Sequence, residues 1–164
     1  MPLATEPAPS VAADPTQART LADSIVHRYL TLVRYQRFKS GLVRRTANIS
    51  GRQLSVLHHL IDVGPRTVGQ IGQFLYVRDA TVSPMLERME REGYVTRRRC
   101  QEDNRKVLVE PTALGREVVE HAPQSMVWHL RVSLPELPID ELQAIDGALQ
   151  RLSQVAQVDE SILE

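Results

Sequence analysis

Two short helices that open with capping boxes, followed by a charged β-hairpin, constrain the fold of this sequence more than any other feature. Residues 50–53 (Ser-Gly-Arg-Gln) and 67–70 (Thr-Val-Gly-Gln) both have the pattern in which the cap residue and the fourth residue exchange side-chain hydrogen bonds with each other's backbone amides. The pair Gly64-Pro65, which is typical of a helix end, separates them. The sequence therefore predicts one helix after Ser50 and a shorter one after Thr67.

A further helix follows, with an apolar stripe along one side. The stripe has the helical spacing i, i+3, i+4 and i+7 and consists of Val82, Met85, Leu86 and Met89. The side opposite the stripe then holds Ala80, Pro84, Glu87 and Arg91, flanked by Thr81, Ser83 and Arg88. Pro84 is the third helical residue if Thr81 is the N-cap, and it removes one hydrogen bond if Asp79 is the N-cap. Gly93 is expected to end this helix.

The hydrophobic period then changes from that of a helix to that of a strand. Residues 94–99 and 106–110 flank a polar turn over residues 101–104, which indicates a β-hairpin and completes a winged helix-turn-helix. Between residues 97 and 107 the hairpin carries five cationic and two acidic residues. This is more positive charge than an edge strand needs to prevent pairing with another chain. A helix fits a DNA major groove, and an arginine-bearing ribbon suits the minor groove. The alternative is a solvated helix surface on which Glu87 pairs with Arg88 or Arg91.

Composition and charge narrow the class of protein. The 164 residues have a net charge of zero, but residues 28–106 hold 16 Lys and Arg against 7 Asp and Glu, whereas residues 107–164 hold 3 against 10. This asymmetry indicates one region that meets a polyanion and another that does not. The single cysteine, the lack of an apolar run near the roughly 18 residues of a membrane span and the lack of a secretory signal predict a cytoplasmic protein without a membrane partner. No phosphate loop, nucleophile elbow, carboxylate pair or zinc spacing stands out, so we expect no enzyme, metal or cofactor.

Helical segments flank the winged helix-turn-helix on both sides. The proline-containing residues 1–18 are predicted to be a flexible tail, and a long helix is predicted from residue 18 to residue 45. Helices resume at Thr112, with a kink expected at Pro123. The last helix carries apolar residues at heptad spacing, namely Leu142, Ile145, Leu149 and Leu152. The expected fold class is mainly α with a small β-hairpin wing and helices at both termini.

The stretch from residue 50 to residue 115 resembles the multiple-antibiotic-resistance regulator (MarR) family. The matching segments include residues 53–57, 64–68 and 81–97, and the most specific part is Asp103-x-Arg105 followed by Thr112-x-x-Gly115. Pro111 stands where the family commonly has a leucine. The resemblance implies a single domain over residues 19–164, in which residues 50–111 form the DNA-binding lobe and residues 19–45 and 112–156 form dimerisation helices.

The resemblance also implies roles for individual residues. It implies that Thr81, Ser83 and Arg88 lie on the DNA-reading helix, and that Arg105 probes the minor groove while Asp103 orients it. The expected DNA-binding residues are Arg78, Thr81, Ser83, Pro84, Arg88, Arg91, Arg98, Asp103, Arg105 and Lys106. Because the family forms homodimers through its terminal helices, the expected interface residues are Ile25, Tyr29, Leu142, Ile145, Leu149 and Leu152.

The function implied by the resemblance is that of a homodimeric transcriptional regulator that binds a double-stranded DNA operator. In this family such regulators are more often repressors, and a small aromatic or phenolic effector releases them. We expect the effector pocket to lie between the DNA-binding lobe and the dimerisation helices, with Arg34, Tyr35 and His58 as candidate lining residues.

Three alternatives stay open. An iron- or manganese-dependent repressor needs metal ligands after the wing, where the sequence offers only Glu117, Glu120, His121 and His129. A thiol-based redox regulator would use Cys100, whose arginine neighbours favour the thiolate, although the sensing cysteines of the resembling family typically lie near the first helix. A protein-interaction module with a structural winged helix would lack a DNA affinity that falls steeply with salt.

The wing assignment predicts that Arg105→Ala weakens DNA binding substantially, because it removes a cation from the hairpin tip. Arg151→Ala, on the last helix, serves as the control and should leave binding unchanged. A gel-shift or anisotropy titration measures both, and equal effects of the two substitutions would count against the assignment.

Overall fold

The structure is a computed structural model that describes residues 14–100 and 106–159. Contacts divide the chain into two units, of which the first ends at Tyr35 and the second begins at Gln36. Helices dominate, and a small antiparallel sheet accompanies them. The fold class is therefore the predicted one, mainly α with a β-hairpin wing. Within the two described stretches, no helix combines the length and the apolar character needed to cross a membrane.

Helix α1 (Pro15–Ala47) begins earlier than the sequence predicts. The side-chain Oδ1 of Asp14 accepts a hydrogen bond from the amide of Thr16 at 3.0 Å, and its carbonyl accepts one from the amide of Ala18 at 2.9 Å. Asp14 thus caps the helix, and Pro15 takes the first helical position, where its missing N–H removes no bond. Residues 15–18, which the sequence assigns to the tail, are helical for this reason.

Both predicted capping boxes are confirmed at the starts of α2 (Gly51–Val63) and α3 (Val68–Leu75). At the first, the amide of Ser50 donates to Oε1 of Gln53 at 2.8 Å and the amide of Gln53 donates to Oγ of Ser50 at 3.2 Å. At the second, Thr67 and Gln70 form the same pair of bonds. Each box satisfies amides that the first turn of a helix leaves without an internal partner.

The hydrophobic core of the second unit is built around α2. Its fully buried residues are Val43, Leu54, Val56, Leu57, Ile71, Val82, Leu86, Met89 and Val109, with Ile49, Leu60, Tyr94 and Val95 nearly so. Burying a side chain of this kind contributes roughly 1.5–3 kcal/mol. The core thus fixes α3, α4 and the sheet against one central helix.

The sheet contains the predicted hairpin and one strand that the sequence did not predict. The hairpin strands are β2 (Val95–Arg99) and β3 (Val107–Pro111), which pair with Arg97 opposite Val109. Strand β1 (Arg66–Thr67) pairs with the other side of β3, so the order is β1-β3-β2. A strand of two residues is too short to show a period in the sequence, because alternation is recognisable only over four or more residues.

Helix α4 (Asp79–Arg91) begins before Thr81, so Pro84 lies inside the helix as its sixth residue and not as its third. Arg78 is the N-cap residue, and its side chain makes no capping hydrogen bond. The amide that Pro84 lacks would have donated to the carbonyl of Ala80. Both residues are exposed, so water can reach the carbonyl that lacks its helical partner.

The kink predicted at Pro123 is a complete break between α5 (Ala113–His121) and α6 (Met126–Ser133). Ala122 adopts an extended conformation, which a following proline favours because of steric contact with its ring. Ser125 then caps a new helix by accepting a bond from the amide of Trp128 at 3.1 Å. A 3-10 turn (Leu134–Glu136) leads to α7 (Ile139–Val155).

The hydroxyl of Thr112 joins the end of α4, the sheet and the start of α5. It donates to the carbonyl of Gly93 at 2.6 Å, lies 3.2 Å from the carbonyl of Tyr94, and accepts from the amide of Gly115 at 3.0 Å. Pro111 before it is buried as the last residue of β3. The proline at this position is therefore compatible with a regular junction between strand and helix.

We expect Gly115→Ala to destabilise the fold, because an added Cβ would collide with the carbonyl oxygen of Tyr94. The expected cost is about 1–3 kcal/mol of the free energy of unfolding, as for other overpacked sites. Gly147→Ala is the matched control, since no described atom lies near its added Cβ on α7 and the change should stabilise by about 0.5–1 kcal/mol. Urea unfolding of both variants measures the difference. Equal stabilities would show that the junction tolerates a side chain.

Candidate nucleic-acid interface

Helix α4 presents the face that the sequence predicts. Val82, Leu86 and Met89 are fully buried and Met85 is partly buried, so the apolar stripe is confirmed. The residues exposed to solvent along the rest of the helix include Ala80, Thr81, Pro84, Glu87, Arg88 and Arg91, and Ser83 is half-buried. The residues that we expect to read DNA are therefore accessible, apart from partial cover over Ser83.

The cations of α4 differ in their surroundings. Nε of Arg88 lies 2.8 Å from Oε1 of Glu92, one helical turn further on. The sequence suggested Glu87 as the partner of Arg88 or Arg91. Neither ion pair forms among the residues that the structure describes. Because Arg88 remains half exposed, this surface pair restricts the guanidinium only weakly. Arg78 at the helix start and Arg91 near its end are also exposed.

Arg97 connects the wing to α4. Its Nε lies 3.3 Å from Oε2 of Glu90, and its Nη2 lies 3.5 Å from the carbonyl of Ser83. Among the described residues Nε has no aligned hydrogen-bond partner, so the contact with Glu90 is an ion pair without a well-formed hydrogen bond. The side chain of Arg97 is only 24% exposed. Arg97 therefore fixes the hairpin against the helix and presents little charge to solvent.

The outer part of the wing is described up to its turn. Nε of Arg98 lies 3.0 Å from Oε2 of Glu110 on the facing strand, and the amide of Cys100 donates to the carbonyl of Lys106 at 2.8 Å. Arg98 and Lys106 are exposed, and Cys100 is half-buried. Asp103 and Arg105 lie outside the described residues, so their roles stay predictions.

A buried histidine stacks on the single tryptophan beneath the winged helix-turn-helix. The rings of His58 on α2 and Trp128 on α6 are 4.0 Å apart and inclined by 16°. His58 is 8% exposed, and its Nε2 is buried without a hydrogen-bond partner in the described chain. Burial lowers the pKa of His58 below its ordinary value of 6.5, and the carboxylate of Asp62 offsets only part of that shift. The neutral ring is therefore the form that this contact favours.

A second stack involves the end of α3. His59 stacks on Phe74 at 3.8 Å, and the guanidinium carbon of Arg131 lies 4.0 Å from the centre of the Phe74 ring. Nη2 of Arg131 also donates to the carbonyl of Phe74 at 2.7 Å. Burial lowers the pKa of His59, and the neighbouring cations Arg66 and Arg131 lower it further. Arg131 therefore joins α6 to the last turn of α3 through both the ring and the backbone of Phe74.

The candidate effector and dimer residues are distributed over both units. Arg34 and Tyr35 are exposed on the part of α1 that belongs to the first unit, whereas His58 is buried in the second. In the first unit Ile25 and Tyr29 are half exposed. In the second unit, α7 carries the exposed Ile145 and Leu149 and the partly buried Leu142 and Leu152. The roles of these residues stay predictions.

The sequence did not identify Arg97, Arg131 or Trp128 as structural residues. The partner of Arg131 is 57 positions away along the chain, and such a separation leaves no pattern in a single sequence. Arg97 stood out only as one of several wing cations. Its inward orientation could have been inferred from the strand period, because it lies two residues after the buried Val95 on the same face of the sheet.

The order of elements defines the class of protein. Helices α3 and α4 form a helix-turn-helix, and β2 and β3 form the wing that follows it, so the chain is a winged helix-turn-helix protein. Residues 47–106, which contain α3, α4 and β2 but end before β3, match the family model of MarR. The match spans less than half of the chain, so the chain is similar to the MarR family over the region of its helix-turn-helix.

Individual relatives agree with this assignment. The organic hydroperoxide resistance transcriptional regulator of Bacillus subtilis (strain 168) is 40% identical over 75 residues, a segment that spans 46% of this chain and only 51% of that relative. The structure of reduced AbfR bound to DNA is 25% identical with a TM-score of 0.55, and the match covers 88% of this chain and 100% of AbfR. The MarR family transcription regulator SP03579 is 18% identical with a TM-score of 0.60, covers 87% and 93% of the two chains, and supports the fold alone.

We expect acid to destabilise the protein through His58. Because the pKa of the folded state lies below the 6.5 of an unfolded chain, the unfolded state binds its proton first as the pH falls. The free energy of unfolding is therefore highest above about pH 6.5, where His58 is neutral in both states. It decreases as the pH falls from there through the lowered pKa of the folded state. Urea unfolding between about pH 8 and pH 5, followed by the fluorescence of Trp128, measures this loss.

His58→Phe tests the assignment, because phenylalanine keeps an aromatic ring against Trp128 but cannot bind a proton. The slope of stability against pH should become shallower in this variant. His121→Gln, at the exposed end of α5, is the control and should leave the slope unchanged. A slope in His58→Phe equal to that of the unsubstituted protein would contradict the assignment.

Proposed function

We propose that this protein is a homodimeric transcriptional regulator that binds a double-stranded DNA operator through α4 and the β2–β3 wing. The observation that carries the proposal is the exposed polar face of α4 lying beside a cationic hairpin in a MarR-family fold. An α-helix fits the major groove, where exposed side chains such as Thr81, Arg88 and Arg91 can contact base edges or phosphates. AbfR, a structural relative, has been solved bound to DNA.

Exposed apolar residues support the proposed dimer in each unit separately. In the first unit, the side chains of Ile25, Val26 and Tyr29 are each at least half exposed. In the second unit, Ile139 and Leu149 on α7 are 69% and 56% exposed. Large apolar side chains that cluster on a helix surface are typical of a protein interface. A second copy of this chain, bound through both helices, would remove them from water.

A cavity of about 300 Å³ in the second unit supports the proposed small-molecule effector. It lies among α2, the end of α3, α6 and the part of α1 after Tyr35, and the lining residues include Arg52, Tyr76, Ser125, Met126 and Arg131. This volume is at the lower end of the range for ligand sites and fits a single aromatic ring. The two arginines would favour a phenolate or carboxylate. None of the three residues predicted for the pocket lines this cavity.

A thiol-based response through Cys100 is the second candidate. It is favoured by the name of the Bacillus subtilis relative, an organic hydroperoxide resistance regulator, and by the position of Cys100 at the base of the wing turn. Oxidation there to a sulfenic acid would enlarge and polarise the side chain beside the hairpin. Cys100 is the only cysteine in the sequence, so it has no resolving partner in the same chain.

Selection of bound fragments from genomic DNA, followed by titration of the selected duplex, tests the proposed function. We expect a dimer by analytical ultracentrifugation and an affinity that falls steeply between about 50 and 200 mM salt, because binding releases counterions from phosphates. Adding phenolic acids should weaken binding if a ligand acts as effector. Adding an organic hydroperoxide should weaken it, and Cys100→Ser should abolish that response, if the thiol is the sensor.

The same titration separates the remaining alternatives. Strict dependence of binding on added Fe(II) or Mn(II) would favour the metal-dependent repressor. Within residues 14–100 and 106–159, no three His, Cys, Asp or Glu side chains are grouped as metal ligands would be. A protein that stays monomeric and binds no duplex even in dilute buffer would contradict the proposed function.

A further inference from the structure

A polar hollow with three arginines lies beside the outward face of α4. We call it the arginine hollow, and the residues that matter here are Arg44 near the end of α1, Arg52 in the first turn of α2, and Thr81 and Arg88 on α4. Its volume is about 520 Å³. Thr81 and Arg88 are among the residues expected to contact DNA, so the hollow continues the proposed interface onto two further helices.

The charge of the hollow is uniformly positive. None of the described residues that line it is acidic, and the other polar side chains at its wall are neutral, among them Asn48 and Gln53. Arg44 and Arg52 are exposed and, in the described chain, have neither a carboxylate nor a hydrogen-bond partner for their side chains. Three arginines from three different helices therefore line one hollow. Among the residues that the structure describes, only Arg88 of the three is paired to a carboxylate.

The shape and lining favour a phosphate group over an organic ligand. Ligand pockets are lined mostly by apolar and aromatic side chains, whereas no aromatic side chain of the described residues lies at the wall of the arginine hollow. A guanidinium binds phosphate oxygens through two parallel hydrogen bonds, and an exposed one can do so without first giving up an internal partner. Most contacts that position a protein on a duplex are of this kind.

We propose that the arginine hollow binds a backbone phosphate of the DNA strand beside the groove that α4 enters, with Arg44 and Arg52 as its contacts. The proposal rests on the proposed function and extends it to Arg44 and Arg52, which lie outside α4 and are not among the expected DNA-binding residues. Contacts to phosphate carry no sequence information, so these arginines set affinity and orientation. The DNA strand would then be held on both sides of α4, by the wing on one side and by the ends of α1 and α2 on the other.

The test measures the salt dependence of binding to a mixed-sequence duplex of about 40 base pairs, which is long enough for two half-sites one helical turn apart. Arg44→Ala is the primary variant, because Arg52 also lines the effector cavity. We expect the slope of log affinity against log salt to become shallower by about 0.9 for each phosphate that the variant no longer neutralises, and the double variant with Arg52→Ala should show a change at least as large. Arg44→Lys should retain most of the slope, since it keeps the charge.

Two controls keep this test separate from that of the proposed function. Arg116→Ala removes an exposed arginine from α5 and should not alter the slope, whereas Arg88→Ala should weaken binding. The ratio of affinities for selected and mixed-sequence duplexes should not change in Arg44→Ala, because a phosphate contact does not discriminate between bases. Thermal unfolding of every variant confirms that the fold is retained.

Three results would overturn the proposal. If Arg44→Ala behaves like Arg116→Ala while Arg88→Ala weakens binding, the arginine hollow is not part of the interface although the proposed function stands. If inorganic phosphate binds the unsubstituted protein and Arg44→Ala abolishes this without altering the salt slope, the hollow holds a free anion. If the unsubstituted protein binds no duplex, the proposed function fails and this inference fails with it.

Discussion

The hydroxyl group of Thr112 is the interaction on which the geometry of the winged helix depends. It joins the carbonyl of Gly93, where α4 has just ended, to the amide of Gly115 in the first turn of α5. Gly115 packs so closely on the carbonyl of Tyr94 that a side chain has no room. The motif Thr-x-x-Gly therefore has a structural role, because it fixes α4, β2, β3 and α5 relative to one another.

The distribution of charge in the wing shows that a count of its cations overstates the positive charge that the hairpin exposes to solvent. Arg97 lies against Glu90 and the carbonyl of Ser83, and Arg98 lies against Glu110. In the first of these pairs Arg97 is largely covered and holds the hairpin on α4. Arg98 in the second pair is more exposed and can exchange its carboxylate for a phosphate at little cost. The same sequence signal, a run of three arginines, therefore contains one structural residue and at least one that is available for binding.

The parts of the fold that the sequence predicts are those determined by local interactions. Both capping boxes, the apolar stripe of α4 and the β2–β3 hairpin depend on residues a few positions apart, and all are found in the structure. Proline rules are equally local, but they left open whether Pro84 removes a hydrogen bond and predicted only a kink at Pro123. The surrounding contacts decide whether each helix continues or breaks. The contact between Arg131 and Phe74 and the pairing of β1 with β3 could not be predicted, because each joins segments that tertiary packing alone brings together.

The junction between α3 and α4 is tied to α6 through Arg131. Tyr76 ends α3 in the left-handed conformation, with φ of 55°, which costs a residue other than glycine about 1 kcal/mol or more. Arg131 holds the preceding turn by its bond to the carbonyl of Phe74, and both Arg131 and Tyr76 line the 300 Å³ cavity. The turn directly before α4 is thus held by a contact from α6 that borders this cavity.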